Sequence, residues 1–175
     1  RTPFHDLFEN GAIKPLSEES YESAFLMTHN LLENAGYLHY EISNYAKPEK
    51  KSIHNVNCWA GKNYLGFGPS AHSRLGKLRY ANVRNIEAYI KNPIVREFEQ
   101  TVTKGEERLE RFMLGLRTAD GIKVDGLQHS RTIDRLAKEG LAKIKGDMLC
   151  LTERGMLLLD EIITILEEDK CLTLK

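Results

Sequence analysis

The clearest helical pattern in the chain runs from Ser17 to Gly36. Tyr21, Ala24, Phe25, Thr28, Leu31, Leu32 and Ala35 recur there at the spacing of one helix face. Ser17 stands where an N-cap is needed, Glu18 and Glu19 suit the positive end of the helix dipole, and Gly36 suits a left-handed C-terminal cap. His29 falls inside this helix, where a packed or solvated imidazole is expected rather than a ligand. The period then changes. From Tyr37 to Asn44, Leu38, Tyr40 and Ile42 alternate with His39, Glu41 and Ser43, which predicts a strand. A helix running directly into a strand is the repeat unit of an α/β sheet or barrel, and such folds bind ligands at the carboxyl ends of their strands. That end is Ser43-Asn44-Tyr45-Ala46. The alternative is an edge strand closed by a plain turn at Lys47-Pro48. The coincidence of a polar strand end with an unusual loop favours the ligand edge.

The strand end and the loop after it are unusual because Tyr40 to Ser73 mixes polar groups, aromatics and glycines closely, as a ligand-receiving surface does. His54-Asn55, Asn57, Cys58 and Trp59, the only tryptophan, come within six positions. A histidine near a tryptophan can ligate a metal or heme iron beside an aromatic platform. Equally, His54 and the asparagines can hydrogen-bond their own loop while Trp59 anchors it and Cys58 is buried. Tyr64 to Ser73 alternates Leu65 and Phe67 with Gly66 and Gly68, a strand in which glycine permits close approach of backbone or ligand. The pair is too short for a dinucleotide fingerprint. His72 is read as a local hydrogen-bonding residue.

Further on, Asn82 to Lys91 predicts a short helix ended by Asn92-Pro93, and residues 94–102 an extended segment. These breaks place a boundary near 80–95: residues 1–80 are expected to form one unit and 81–175 a second, mostly helical one. Thr103-x-x-Glu106 is a capping box opening a helix to about Arg117, with Leu109, Phe112, Met113 and Leu116 on one face. Gly115 costs that helix about 1 kcal/mol relative to alanine, so close packing is expected there. Asp120-Gly121 turns the chain. A helix at 131–139, a hairpin across Gly146-Asp147 and a last helix capped by Thr152 follow. Helix, hairpin and helix in this order read as a winged-helix-like module.

Charge limits what this module does. The chain carries 25 Lys+Arg and 25 Asp+Glu, so no net field favours nucleic acid or an anionic surface. Residues 95–175 hold 14 basic and 16 acidic side chains, a net of −2, which argues against DNA despite Arg131, Arg135, Lys138, Lys143 and Lys145. No run is long and apolar enough to span a bilayer, so no membrane segment is expected. Cys58, Cys150 and Cys171 are odd in number and lie far apart, supporting neither a disulfide framework nor a zinc site. The cytosol is the expected compartment. Arg1 to Pro15 reads as a loop and not as a natural start, which suggests a piece of a longer protein.

Five stretches in order carry a resemblance: YEISNYAKP at 40–48, HNVNCW at 54–59, YLGFGPSAHS at 64–73, ERLERFMLGLRTADGI at 107–122 and LTERGMLLLDEII at 151–163. The chain resembles the C-terminal half of the oxygen-independent coproporphyrinogen III oxidase-like radical S-adenosylmethionine proteins, in particular their heme chaperone branch. The resemblance implies the last β/α repeat of a partial barrel followed by the family's C-terminal domain. It implies S-adenosylmethionine and a 4Fe-4S cluster in the parent protein; the CxxxCxxC motif that holds the cluster is absent here, so the chain alone is expected to lack radical chemistry and to contain no metal site. It further implies that Ala46 and Leu114 meet S-adenosylmethionine and that His54 meets heme, with no catalytic residue assigned. Cys58 departs from the motif, where tyrosine is usual. Three readings follow: a heme-trafficking protein that passes heme to an acceptor protein, an oxidase decarboxylating coproporphyrinogen III to protoporphyrinogen IX, or a winged-helix module docking a protein partner.

Overall fold

The computed structural model describes residues 2–124 and 130–168. Cys171 lies outside them. The chain begins with α1 (Pro3–Glu9), where a loop was expected; Pro3 is preset for a first helical position and the Thr2 hydroxyl caps it. Helix α2 (Glu18–Asn34) is capped by Ser17 and followed by Gly36 at φ 77°, as the sequence indicated. Its buried face is not the one expected. Tyr21 and Leu31 are exposed, and the helix buries His29, with Phe25, Leu26 and Leu32 half-buried. The partner decides this: the rings of Phe25 and His29 pack on His39.

His39 belongs to β1 (Leu38–Glu41), which is shorter than the strand expected over 37–44. The chain turns at Ile42-Ser43 and returns as β2 (Asn44–Ala46), pairing antiparallel so that Leu38 faces Ala46. The expected polar strand end is therefore itself a strand. The in-out alternation also fails, since His39, Tyr40 and Glu41 are all buried.

The expected loop after Lys47-Pro48 contains α3 (Ile53–Trp59), capped by the Ser52 hydroxyl on the Asn55 amide. Residues 65–71 form no strand; only Tyr64 bridges to Arg74. Gly66 is required for the chain's own approach, because a Cβ there would lie 2.2 Å from the His72 carbonyl oxygen. Strands β3 (His72–Leu75), β4 (Leu78–Asn82) and β5 (Arg96–Thr101) form one antiparallel sheet, with α4 (Ile86–Lys91) between the last two. This sheet is continuous across the region in which the sequence suggested a boundary. Helix α4 starts later than Asn82, at the Asn85 cap, and leaves Ile86 and Ile90 exposed.

The remainder follows its local signals closely. Helix α5 (Lys104–Leu116) carries the Thr103–Glu106 capping box; its Met113 is partly exposed, while Phe112 and Leu116 are buried. Strand β6 (Ile122–Lys123), α6 (Arg131–Lys138), β7 (Ala142–Lys145) and β8 (Met148–Leu151) follow, with strand order β6-β8-β7 and Gly146 at φ 63° in the hairpin turn. The single last helix expected is two, α7 (Glu153–Leu157) and α8 (Leu159–Glu168), broken at exposed Leu158. The break re-aims the apolar stripe so that Leu159, Ile162 and Leu166 reach the core. Leu116, Ile133, Leu136, Leu149, Ile162 and Leu166 are each at most 1% exposed. Every such side chain contributes about 1.5–3 kcal/mol by leaving water. Phe25 and Ile42 pack against this core and join the first part of the chain to the last.

Candidate functional site

A cavity of about 460 Å³ opens between two walls. One wall is Tyr40 of β1 with Val56 and Trp59 of α3; the other is Leu114, Thr118 and Ile122 at the end of α5 and the start of β6. The second wall depends on two close approaches. A Cβ on Gly115 would stand 3.0 Å from Ile122 Cβ, and one on Gly121 (φ 72°) would stand 2.1 Å from the Leu149 carbonyl oxygen. The close packing read into Gly115 is thus realised against β6. Around the rim stand Lys51, Arg74, Arg111 and Lys123, facing Glu107 and Asp120. Arg74 is committed to Glu110 at 3.2 Å, and Lys123 to Asp147 at 3.3 Å. Trp59 Nε1 and Arg74 Nε are sheltered from solvent and have no hydrogen-bond partner. Buried donors of this kind cost free energy unless an acceptor meets them. An apolar, aromatic floor with cations at the rim and unmet N–H donors suits a ligand that carries an aromatic ring and a carboxylate.

The two walls are fastened by an ion pair between a buried carboxylate and a half-buried guanidinium. Glu41 is fully buried (0% exposed), and its Oε2 accepts from Arg117 Nε at 3.2 Å. Asn44 Nδ2 donates to the other carboxylate oxygen. Arg117 Nη2 also donates to Ser43 Oγ at 2.8 Å, and its guanidinium lies over the Trp59 ring, 4.6 Å from the centroid. Backbone bonds run alongside: Ile42 N to the Arg117 carbonyl and Ala119 N to the Tyr40 carbonyl, both at 3.1 Å.

Helix α3 presents two faces. Val56, Trp59 and Ala60 turn to the cavity. His54 and Cys58, one turn apart, stand on another side, with His54 exposed and Cys58 partly so. Their ring Nε2 and Sγ are 3.6 Å apart, and the His54 ring meets Tyr64 edge-on at 6.4 Å. Cys58 is therefore not the buried thiol that base rates suggest. The buried thiol is Cys150, which donates to the Asp120 carbonyl at 3.4 Å; burial raises its pKa.

A buried imidazole pair escaped the sequence reading. His39 Nε2 lies 3.1 Å from the Ile42 carbonyl, and a carbonyl only accepts, so the proton is on Nε2. His39 Nδ1 then accepts from His29 Nδ1 at 3.2 Å. His29 Nε2 faces Glu33 at 3.4 Å, and the Tyr45 ring stacks on His39 at 4.1 Å. Desolvation lowers the His39 pKa from its ordinary 6.5. The sequence placed His39 on the same outward side of the strand as Glu41, so only its spacing of ten residues from His29 hinted at the pair.

Of the residues singled out from the sequence, Leu114 and Trp59 come together in the cavity. Ala46 is buried at 7% in the hairpin beside Leu38 and does not line it. His54 sits at the start of the same helix as Trp59 but does not line the cavity. His72 is exposed on β3, away from this site. Among the described residues no group of three or more His, Cys, Asp or Glu is arranged to hold a metal ion. No helix among them is long and apolar enough to cross a membrane.

Residues 102–158 match the HemN C-terminal domain family. The heme chaperone HemW of Bacillus subtilis (strain 168) is 31% identical over 177 residues, covering 93% of this chain and 46% of that protein. HemW of Mycobacterium tuberculosis (strain ATCC 25618 / H37Rv) is 32% identical over 144 residues, covering 77% of this chain and 36% of that protein. The chain thus spans less than half the length of these curated relatives. The solved structure of coproporphyrinogen III oxidase (HemN) from Escherichia coli, described as a radical SAM enzyme, superposes with a TM-score of 0.62 at 15% identity, covering 90% of this chain and 42% of that one. That likeness establishes a mixed α/β fold shared with the corresponding part of HemN. Residues 102–158 are thus similar to the HemN C-terminal domain, and the chain over most of its length is similar to the heme chaperones HemW.

Proposed function

We propose that this chain is the C-terminal part of a radical S-adenosylmethionine protein that carries heme, with His54 as the heme-facing residue. The observation that carries this reading is His54 exposed on α3 within a chain similar to HemW over most of its length. On this reading α2 with β1 is the last repeat of a barrel. The exposed apolar side chains Met27, Leu31 and Leu38 support that, being suited to contact with a preceding repeat. Residues 104–168 then form the winged-helix-like unit, with the β7–β8 hairpin as its wing.

The residues at the cavity fit S-adenosylmethionine in chemical type. Tyr40 and Trp59 offer aromatic faces, Leu114 an apolar contact, and Lys51 and Arg111 positive charge for a carboxylate. When bound to a cluster-bearing protein this cofactor supplies an adenosyl radical. What the present residues do is orient it, exclude water and neutralise its carboxylate. Ala46, buried opposite Leu38 in the β1–β2 hairpin, does not line the cavity and is not a cofactor contact on this reading. Among the described residues no cysteine cluster stands ready for a 4Fe-4S cluster: Cys150 is buried in β8 and donates to the Asp120 carbonyl, and Cys58 lies on α3. Heme is cargo, bound outside the cavity on the His54 face of α3 and released to an acceptor protein. A coproporphyrinogen oxidase acts on a related tetrapyrrole, and the fold likeness to HemN keeps it as the second reading.

Titration with hemin tests the proposal. The wild-type chain is expected to give a saturable shift of the Soret band, and His54→Ala to lose it. A titration that His54→Ala leaves unchanged removes His54 from the site. Turnover of coproporphyrinogen by a full-length protein favours the oxidase reading instead.

A further inference from the structure

We infer that Arg117 is a positioning residue: the C-terminal domain uses it to hold α3, and so to set the orientation of the face bearing His54 and Cys58. This deepens the heme reading and rests on it only for its consequence, not for its geometry.

Three contacts converge on one guanidinium. Arg117 binds buried Glu41 through Nε at 3.2 Å and Ser43 through Nη2 at 2.8 Å, and holds its Cζ over the Trp59 ring, 4.6 Å from the centroid. Glu41 and Arg117 are 76 residues apart in the chain, so no local preference brings them together. The carboxylate is sealed from water, and a buried charge that loses its partner is strongly destabilising; this makes the guanidinium position over-determined. Trp59 is the last residue of α3, a helix of only seven residues capped at its other end by Ser52. A helix that short has little stability of its own. Its orientation comes from what its side chains pack against, and Trp59 is the largest of them. Fixing the Trp59 ring therefore fixes the direction in which His54 and Cys58 point.

The fork also explains why arginine is needed. Lysine keeps the positive charge but cannot reach Glu41 and Ser43 together while presenting a flat cationic face to an indole. The geometry thus separates two functions in one helix. His54 meets the ligand, and Arg117, on a different element, decides where His54 stands.

The test uses Trp59, the only tryptophan in the chain, as its own reporter. Acrylamide quenching of Trp59 and hemin titration are measured for wild type, Arg117→Lys and the charge-free pair Glu41→Gln with Arg117→Gln, with far-UV dichroism to check folding. Both variants are expected to make Trp59 more quenchable. Hemin affinity is expected to fall about tenfold or more, the size usual for loss of a group that orients a ligand. The Soret position at saturation should stay that of wild type, because the ligating residue is still present. A merely structural role would lower the melting temperature without separating affinity from band position. Folded variants with unchanged quenching overturn the inference whatever hemin does, as does increased quenching with unchanged hemin affinity at a His54-dependent site. If His54→Ala has no effect on hemin in the wild-type background, the heme reading fails, and the quenching result alone decides whether Arg117 holds α3.

Discussion

Replacing Gly121 by alanine separates two costs that glycine hides. Gly121 has φ 72°, and an added Cβ would stand 2.1 Å from the Leu149 carbonyl oxygen and 2.8 Å from Cys150 Sγ. Neither neighbour can give way cheaply, since the carbonyl belongs to the central strand of the β6-β8-β7 sheet. The left-handed backbone costs a side-chain-bearing residue about 1–2 kcal/mol. Overpacking against an unyielding neighbour adds about 1–3 kcal/mol. The natural control is Gly146, at φ 63° with nothing within 4 Å of its Cβ position. Gly146→Ala bears the backbone cost alone; the stiffer unfolded chain offsets about 0.4–1 kcal/mol in both variants and so cancels from their difference. Urea unfolding followed by far-UV dichroism reads the difference. With a slope of about 1–3 kcal/mol per molar, Gly121→Ala should lower the midpoint by about 1–2 M, and Gly146→Ala by clearly less. Equal midpoints for the two variants would refute the claim that β6 and β8 are closed around Gly121. Because Gly121 also lines the cavity, the loosened wall should appear as a change in Trp59 emission.

Two further outcomes are expected. His39 makes stability depend on pH. Desolvation holds the folded pKa of His39 below 6.5, so the unfolded chain binds the proton first. Its contribution is complete above 6.5 and is lost as pH falls from there toward the lowered folded value. His29, Glu33, Glu41, Tyr45 and Glu153 surround or act on this ring, and a His39→Gln variant should flatten the melting-temperature profile between neutral and mildly acidic pH; an unaltered profile removes His39 as its cause. Thr103→Ala, which deletes the hydroxyl capping the Glu106 amide, should cost about 1 kcal/mol in urea unfolding, and no measurable loss would show that α5 does not need its capping box.

The parts of this protein readable in its sequence are those held by groups within a turn of each other. The Thr103–Glu106 box, the Gly146 hairpin and the Ser17 cap of α2 were all legible, because each is completed by residues three or four positions away. Even the cap of α3 was present as Ser52 and Asn55, although the density of polar residues made the segment look like a loop. Leu114 and Trp59 could be singled out from motif resemblance, but not their meeting in one cavity. The buried face of α2 was misread, since Tyr21 and Leu31 satisfy a helical period as well as Phe25 and His29 do. Only the β1–β2 hairpin packed beneath selects between them. The strand over 37–44 ended early for the same kind of reason: the Ile42 amide is taken by the Arg117 carbonyl. Hydrophobic period states that a side chain is apolar and which neighbours share its face; it carries no term for a partner 76 residues away. Glu41 reads as an outward strand position in the sequence and is fully buried in the fold, because Arg117 supplies there the opposite charge that makes burying a carboxylate tolerable.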